Sequence, residues 1–308
     1  MKIVFFGTGE FSTVVLKSLV DSGKQVVAVV SQPDKINGRN GKLTFSPIKQ
    51  YCLANNIKLF QFEKLNREGE QPLKELSADI FVTASYGQII RQNILDIPPL
   101  GCYNVHASLL PKYRGSSPIQ WAIMNGETVT GITIMKTELG LDCGDMYLKK
   151  QIEITKQDTS SSVFGKLATL GAECINEFLD NFNTMVKNGE KQDESQMTYF
   201  PMIKKEDYLL DFNTTSKAIV NKVRALESCY FVYHNMRFKV LEAKTVSGQG
   251  TPGQILNCNS KLGLIIATKD AAVEILTIQP EGKQKMPAKA YMNANKFVQN
   301  EIIEPVLQ

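Results

Sequence analysis

Over the first 150 residues, short apolar runs alternate with stretches in which apolar residues recur every three to four positions. Ile3–Phe6, Val26–Ser31, Ile80–Ala84 and Gly101–Val105 have the β-rich composition of strands. Phe11–Ser22 places Val14, Val15, Leu19 and Val20 at helical spacing. Ser46–Asn55 and Ser116–Asn125 predict further helices, each opening on a Ser able to cap its first turn. This alternation predicts an α/β fold with a Rossmann-like, doubly wound parallel sheet. Such sheets bind ligands beyond the carboxyl ends of their strands, and residues 104–108 lie at such an end.

The pattern then changes. Thr159–Lys187 reads as one long amphipathic helix carrying Val163, Leu167, Leu170, Ile175 and Phe178. Residues 188–195 are polar and aperiodic, as a linker would be. A helix is predicted at Ser216–Leu226, then closely spaced β runs at Phe231–Tyr233, Phe238–Ala243, Gly253–Leu256, Gly263–Ala267 and Ala272–Gln279. Short strands at that spacing predict a small β-barrel of OB-like form. The expected organisation is a domain at 1–189, a linker at 190–206 and a smaller domain at 207–308.

Composition narrows the classes. With 308 residues, 43% hydrophobic and 21% charged, the chain can bury sizeable cores without staples. Its longest apolar runs are far too short to span a bilayer, and its first residues run straight into a strand without the zones of a signal peptide. A cytoplasmic location, with no membrane association, is the resulting expectation. The six cysteines are dispersed without CxxC spacing or Cys/His pairing, which favours free thiols and argues against structural zinc. The net charge is +4. From residue 201 onward, 14 Lys plus Arg face 10 Asp plus Glu, so the C-terminal part holds the whole excess. A polyanion such as RNA would be attracted there, although so small a surplus also suits an ordinary solvated surface.

Four features carry candidate chemistry. Gly7-Thr-Gly9 follows the first strand, where a dinucleotide-binding turn would stand. Ser12 replaces the third glycine and no acid ends the second strand, so the reading is a tight turn. Asn104 and His106 are two apart, which puts both side chains on one face of a strand. An amide and an imidazole so placed can stabilise an oxyanion, though a lone strand histidine is often structural. Asp142 lies between Gly140 and Gly144, where a sharp loop could present its carboxylate or simply turn. Gln32–Leu43 is a polar loop with Lys35, Arg39 and Lys42, either a flexible surface loop or a basic finger for a phosphate backbone.

Several segments together carry a resemblance: Gln32-Pro-Asp34 with Gly38-Arg39 and Lys42-Leu43, Ala84-Ser-Tyr-Gly87, Asn104-Val-His106, Ser108-Leu-Leu-Pro111 with Arg114-Gly115, Thr130–Met135, and Gly140-Leu-Asp-Cys-Gly-Asp145. In this order they resemble the methionyl-tRNA formyltransferases, within the wider 10-formyltetrahydrofolate transferase superfamily. The chain departs from the family at Gly9, where a proline is usual, and at Ala225–Phe231, where a Pro- and Gly-containing motif is usual.

The resemblance implies a formyltransferase fold and transfer of the formyl group of 10-formyltetrahydrofolate to methionyl-initiator tRNA, without metal or redox cofactor. It implies catalysis by Asn104, His106 and Asp142. It places the folate co-substrate against Ser108, Leu109, Leu110 and Pro111, with Tyr86, Gly87, Leu139, Gly140 and Leu141 lining the pterin pocket. Lys35, Arg39 and Lys42 would meet the tRNA, and the expected state is a monomer. The alternative acceptor is an amino sugar nucleotide, against which the basic loop and the β-rich C-terminal part argue. An RNA-binding protein with a dead catalytic fold and a dinucleotide-dependent oxidoreductase are the readings from other classes.

Overall fold

The computed structural model describes residues 1–37, 42–293 and 297–303, with the side chains of 35–37 and 42–43 outside that description. The chain divides into two compact units. The first takes in Met1–Pro118, Val129–Glu153 and Val163–Phe200; the second takes in Ile119–Thr128, Ile154–Ser162 and Pro201–Gln308.

The first unit is built on a seven-stranded sheet. In chain order its strands are β1 (Lys2–Gly7), β2 (Gln25–Ser31), β3 (Leu59–Gln61), β4 (Ile80–Ala84), β5 (Cys102–His106), β6 (Val129–Lys136) and β7 (Met146–Glu153). Across the sheet the order is β7-β6-β5-β4-β1-β2-β3. The pairs from β3 through β5 are parallel. β6 runs antiparallel to β5, and β7 antiparallel to β6. The sheet is thus doubly wound and mainly parallel, with two antiparallel strands at one edge.

Burial explains the sequence pattern. Every residue of β4 is buried, as expected for a strand covered on both faces. Edge strand β7 alternates half-buried and exposed positions after its buried first residue, so its apolar signal is weak. On one face α1 (Glu10–Asp21) buries Phe11, Val15, Leu16 and Leu19. The long helix α4 (Ser160–Asp180) approaches the same face through Gly171. A Cβ there would stand 3.0 Å from Val105 and 3.2 Å from Phe11. On the other face Val4, Phe6, Val30, Phe81 and Cys102 pack with Leu65, Leu73 and Ile94.

Two helix expectations shift. Ser46 does cap α2 (Pro47–Ala54), accepting from the Lys49 N–H. The helix expected at 116–125 is α3 (Pro118–Met124), which starts at Pro118, a residue suited to the first helical position. The helix expected across 159–187 breaks at Asn181, whose amide donates to the Glu177 carbonyl while its backbone leaves the helix. Segment 190–200, expected to begin the linker, belongs instead to the first unit, where Tyr199–Phe200 pairs with Arg114–Gly115.

In the second unit α5 (Ser216–Leu226) is capped by Thr215 and buries Ile219, Val223 and Leu226. Its C-cap, Glu227, takes a left-handed conformation at φ 53°. An antiparallel sheet follows, with β8 (Cys229–Tyr233), β9 (Met236–Val246), β10 (Ile255–Asn259), β11 (Gly263–Ala267) and β12 (Ala272–Pro280). Their order is β8-β9-β12-β11-β10. Phe231 stacks on Phe238 at 5.4 Å, and Phe297 closes the aromatic core at 4.9 Å from Phe238.

Candidate active site

Alternation along β5 puts Cys102, Asn104 and His106 on one face and Tyr103 and Val105 on the other. Register sets Asn104 beside Thr83 of β4. The Thr83 hydroxyl donates to Asn104 Oδ1 at 2.9 Å. That fixes the amide from behind and leaves its NH₂ turned away from Thr83, able to donate.

His106 is buried, with 6% of its surface exposed. Its Nε2 lies 3.1 Å from the Tyr113 carbonyl. A carbonyl only accepts, so Nε2 carries the hydrogen and Nδ1 is the nitrogen left for chemistry. Nδ1 stands 3.7 Å from Asp142 Oδ1, too far for a hydrogen bond but close enough for charge balance.

Asp142 stands in the left-handed region at φ 48°, which a short polar side chain tolerates better than most. Its Oδ2 accepts from the Gly115 N–H at 2.9 Å. Behind it, Gln192 Nε2 donates to the Asp142 carbonyl at 2.8 Å and to the Gly144 carbonyl at 2.9 Å. Gln192 Oε1 in turn accepts from Arg114 Nε at 3.0 Å and Nη2 at 2.8 Å. Arg114 completes the chain by pairing with Glu194, whose carboxyl it holds below the usual range.

The remaining predicted residues divide by orientation. The Ser108 hydroxyl donates to the Lys112 carbonyl at 2.7 Å, and Thr133 accepts from the Leu110 N–H while donating to the Ser108 carbonyl. These bonds fix the turn after β5. Leu110 is buried against Met135 and Met146, while Leu109 and Pro111 are half-buried. The Tyr86 ring packs edge-on against Phe6 in the core, and burial pushes its hydroxyl pKa up. Only its carbonyl faces the strand ends, accepting from Thr8 Oγ1 and Gln32 Nε2. Gly87 is exposed, at φ +94°. Beside Asp142, Leu139 is 62% and Leu141 57% exposed, two apolar surfaces of the kind a ring ligand covers. Gly140 lies between them, so close to Cys143 Sγ that a Cβ would stand 2.4 Å away.

At the base of the basic loop, Asp34 pairs with Lys49 and accepts from Gln61 at 3.0 Å. Hydrogen bonding from Gln61, then from Lys49, keeps its carboxyl below the usual range. The backbone of Lys35–Asn37 pairs antiparallel with Lys42–Thr44. Arg39 lies outside the described residues, as do the side chains of Lys35 and Lys42.

The structure therefore brings Asn104, His106 and Asp142 together at the carboxyl end of β5. It turns the Tyr86 and Leu110 side chains into the core. Sequence reasoning missed Thr83 and Gln192 as partners. Thr83 had a signal, as a polar residue inside the apolar run 80–84. Gln192 had none, because its partners are 48 to 78 residues away.

Comparison with known proteins identifies the relatives of this chain. Residues 1–179 match the formyl transferase family and residues 202–296 the formyl transferase C-terminal domain. The chain is similar to a methionyl-tRNA formyltransferase of Caldanaerobacter subterraneus subsp. tengcongensis, 43% identical over 99% of this chain and 100% of that one. Among solved structures it is similar to HypX from Aquifex aeolicus in complex with tetrahydrofolic acid, at TM-score 0.65 and 19% identity over 100% of this chain and 50% of that chain. It is also similar to the N-formyltransferase of Helicobacter canadensis in complex with folinic acid and dTDP-3-aminofucose, at TM-score 0.65 and 19% identity over 93% and 100%. At that identity the two structures speak for the fold.

Proposed function

The chain belongs to the methionyl-tRNA formyltransferase family, and from that premise we propose that Asn104, His106 and Asp142 carry the transfer of a formyl group onto the amino group of methionyl-tRNA. The formylation of methionyl-initiator tRNA, with a folate co-substrate, is the family's reaction. The donor we assign is 10-formyltetrahydrofolate. The observation that carries the residue assignment is the pairing of an amide and an imidazole on β5 with a carboxylate 3.7 Å from the imidazole Nδ1.

In this reading the α-amino nitrogen attacks the formyl carbon, and the C=O bond becomes a C–O⁻ bond in a tetrahedral intermediate. The Asn104 NH₂ and a protonated His106 Nδ1 donate to that oxygen, each worth about 3–4 kcal/mol at the transition state. Asp142 balances the charge on His106 and takes the proton that the amine loses. Collapse re-forms the C=O bond and breaks the bond from carbon to N10, which takes the proton held by Asp142 as tetrahydrofolate leaves. The ring system rests against Leu139 and Leu141 and the turn 108–111. Lys35, Arg39 and Lys42 meet the acceptor end of the tRNA, and the cations of the C-terminal unit attract phosphates generally.

The test is transfer of labelled formyl from 10-formyltetrahydrofolate, offered methionyl-initiator tRNA in one reaction and an amino sugar nucleotide in another. Label on the tRNA alone is expected. Label on the sugar alone would overturn the choice of acceptor, and label on neither would overturn the chemistry.

A further inference from the structure

Residues 113 and 115 each hold one member of the reacting pair, and residue 114 holds Gln192 behind them. The Tyr113 carbonyl accepts from His106 Nε2. The Arg114 guanidinium grips Gln192 Oε1, and the Gly115 N–H donates to the Asp142 carboxylate. This tripeptide therefore sets the distance between imidazole and carboxylate. It is itself held by the segment 192–200. The Thr198 carbonyl accepts from the Arg114 N–H at 2.9 Å, the Thr198 hydroxyl accepts from the Tyr113 N–H at 2.9 Å, and Phe200 stacks on Tyr113 at 5.0 Å. Contact is so close that a Cβ on Gly115 would stand 2.1 Å from the Phe200 carbonyl oxygen.

The Gln192 side chain bonds both Arg114 and the turn that carries Asp142. Its two amide hydrogens go to the carbonyls of Asp142 and Gly144, bracketing the turn that presents the carboxylate. Its oxygen takes two bonds from Arg114. The side chain is nearly fully buried, so losing either set of bonds leaves polar groups unsatisfied. Asp142 sits in a left-handed backbone that only surrounding contacts can enforce.

We propose that Gln192 is a positioning residue for the reaction, one that touches no substrate and sets where the Asp142 carboxylate stands relative to His106. The inference rests on the catalytic reading of Asp142 given above. Gln192→Met keeps the volume and removes both donors and acceptor. Gln192→Glu keeps an acceptor for Arg114 but removes the donors to residues 142 and 144. Misplacing a catalytic group by about an ångström can lower turnover by up to about 100-fold while leaving substrates bound. Both variants should lose that much in kcat, with KM for methionyl-tRNA and for the formyl donor within about threefold of the parent. In an Asp142→Asn background, adding Gln192→Met should slow turnover by less than about threefold, because coupled residues do not add.

The proposal is overturned if both Gln192 variants keep near-parental kcat, if they lose only thermal stability, or if the Met substitution multiplies fully on Asp142→Asn. It is equally overturned if KM rises while kcat holds. Near-normal turnover by Asp142→Asn itself would instead strike the catalytic reading, and the role of Gln192 with it. Should Gln192→Met not fold, Gln192→Glu, which retains the Arg114 partner, carries both the single and the double measurement.

Discussion

Two strand ends of the first unit carry polar groups of comparable promise, and the structure treats them oppositely. After β1, the turn Gly7-Thr-Gly9 is closed on itself. Ser12 Oγ accepts from the Thr8 N–H at 2.9 Å, and Thr8 Oγ1 donates to the Tyr86 carbonyl at 3.0 Å. A Cβ on Gly7 would stand 2.3 Å from that of Ser12, so the glycine serves internal packing and the amide a phosphate would need is already used. After β5, Asn104, His106 and Asp142 are held from behind by Thr83, Tyr113, Gly115 and Gln192. Among the described residues, no hydrogen bond takes up the Asn104 NH₂ or His106 Nδ1. The difference teaches that a site is marked by polar atoms a fold restrains without using, more than by polar residues at a strand end.

The comparison can be broken or sharpened by substitution. The largest effect is expected for His106→Ala, which in the proposed mechanism removes a donor at the oxyanion and should lower kcat/KM for formyl transfer by about a hundred- to thousandfold. Steady-state kinetics with methionyl-tRNA as acceptor measures it. Thr83→Val keeps the strand and removes only the hydroxyl behind Asn104 Oδ1. It should cost about tenfold in kcat, which a loss of roughly 1.4 kcal/mol of orientation would produce. An unchanged kcat would mean that Asn104 needs no support.

At the closed end, Ser12→Ala should leave transfer rates as they are. It should destabilise the fold by about 1–2 kcal/mol, since Ser12 is fully buried and the Thr8 N–H loses its acceptor. A large loss of activity in that variant would erase the contrast between the two ends.

The smallest effect lies in the second unit, at the helix C-cap Glu227. The Glu227 carboxylate accepts from the Ser160 and Ser161 hydroxyls and the Ser161 N–H, at the start of α4. Burial raises its pKa, but the hydrogen bonds from Ser161, Ser160 and Thr159 outweigh burial and leave it below the ordinary value. A depressed folded-state pKa adds stability that is present above the unfolded value and lost as pH falls through the folded one. Glu227→Gln should therefore lower Tm at neutral pH by an amount corresponding to about 0.5–1 kcal/mol. The gap should close as pH drops below the usual glutamate range. A gap that widened on acidification would reverse the assignment.

Much of this was legible in the chain. The run Ile80–Ala84 is the strand observed, residue for residue, because its burial on both faces demands unbroken apolarity. The Asn104–His106 pair was legible because period two is a local property. Strands Val129–Lys136 and Met146–Glu153 escaped as elements, the second because an edge strand with one wet face carries little apolar signal. Gln192 escaped for a different reason. It stands in a polar, aperiodic stretch that reads as linker, and its role exists only once Arg114, Asp142 and Gly144 have been folded around it. The reach of local pattern ends where function depends on contacts tens of residues apart.

The central claim, that the carboxylate facing His106 Nδ1 is part of the chemistry, has one direct measurement. It is the single-turnover rate of formyl transfer to methionyl-tRNA by Asp142→Asn, with both substrates saturating. A fall of about a hundredfold or more, with folate affinity unchanged, is the predicted result. A rate within about threefold of the parent would contradict it.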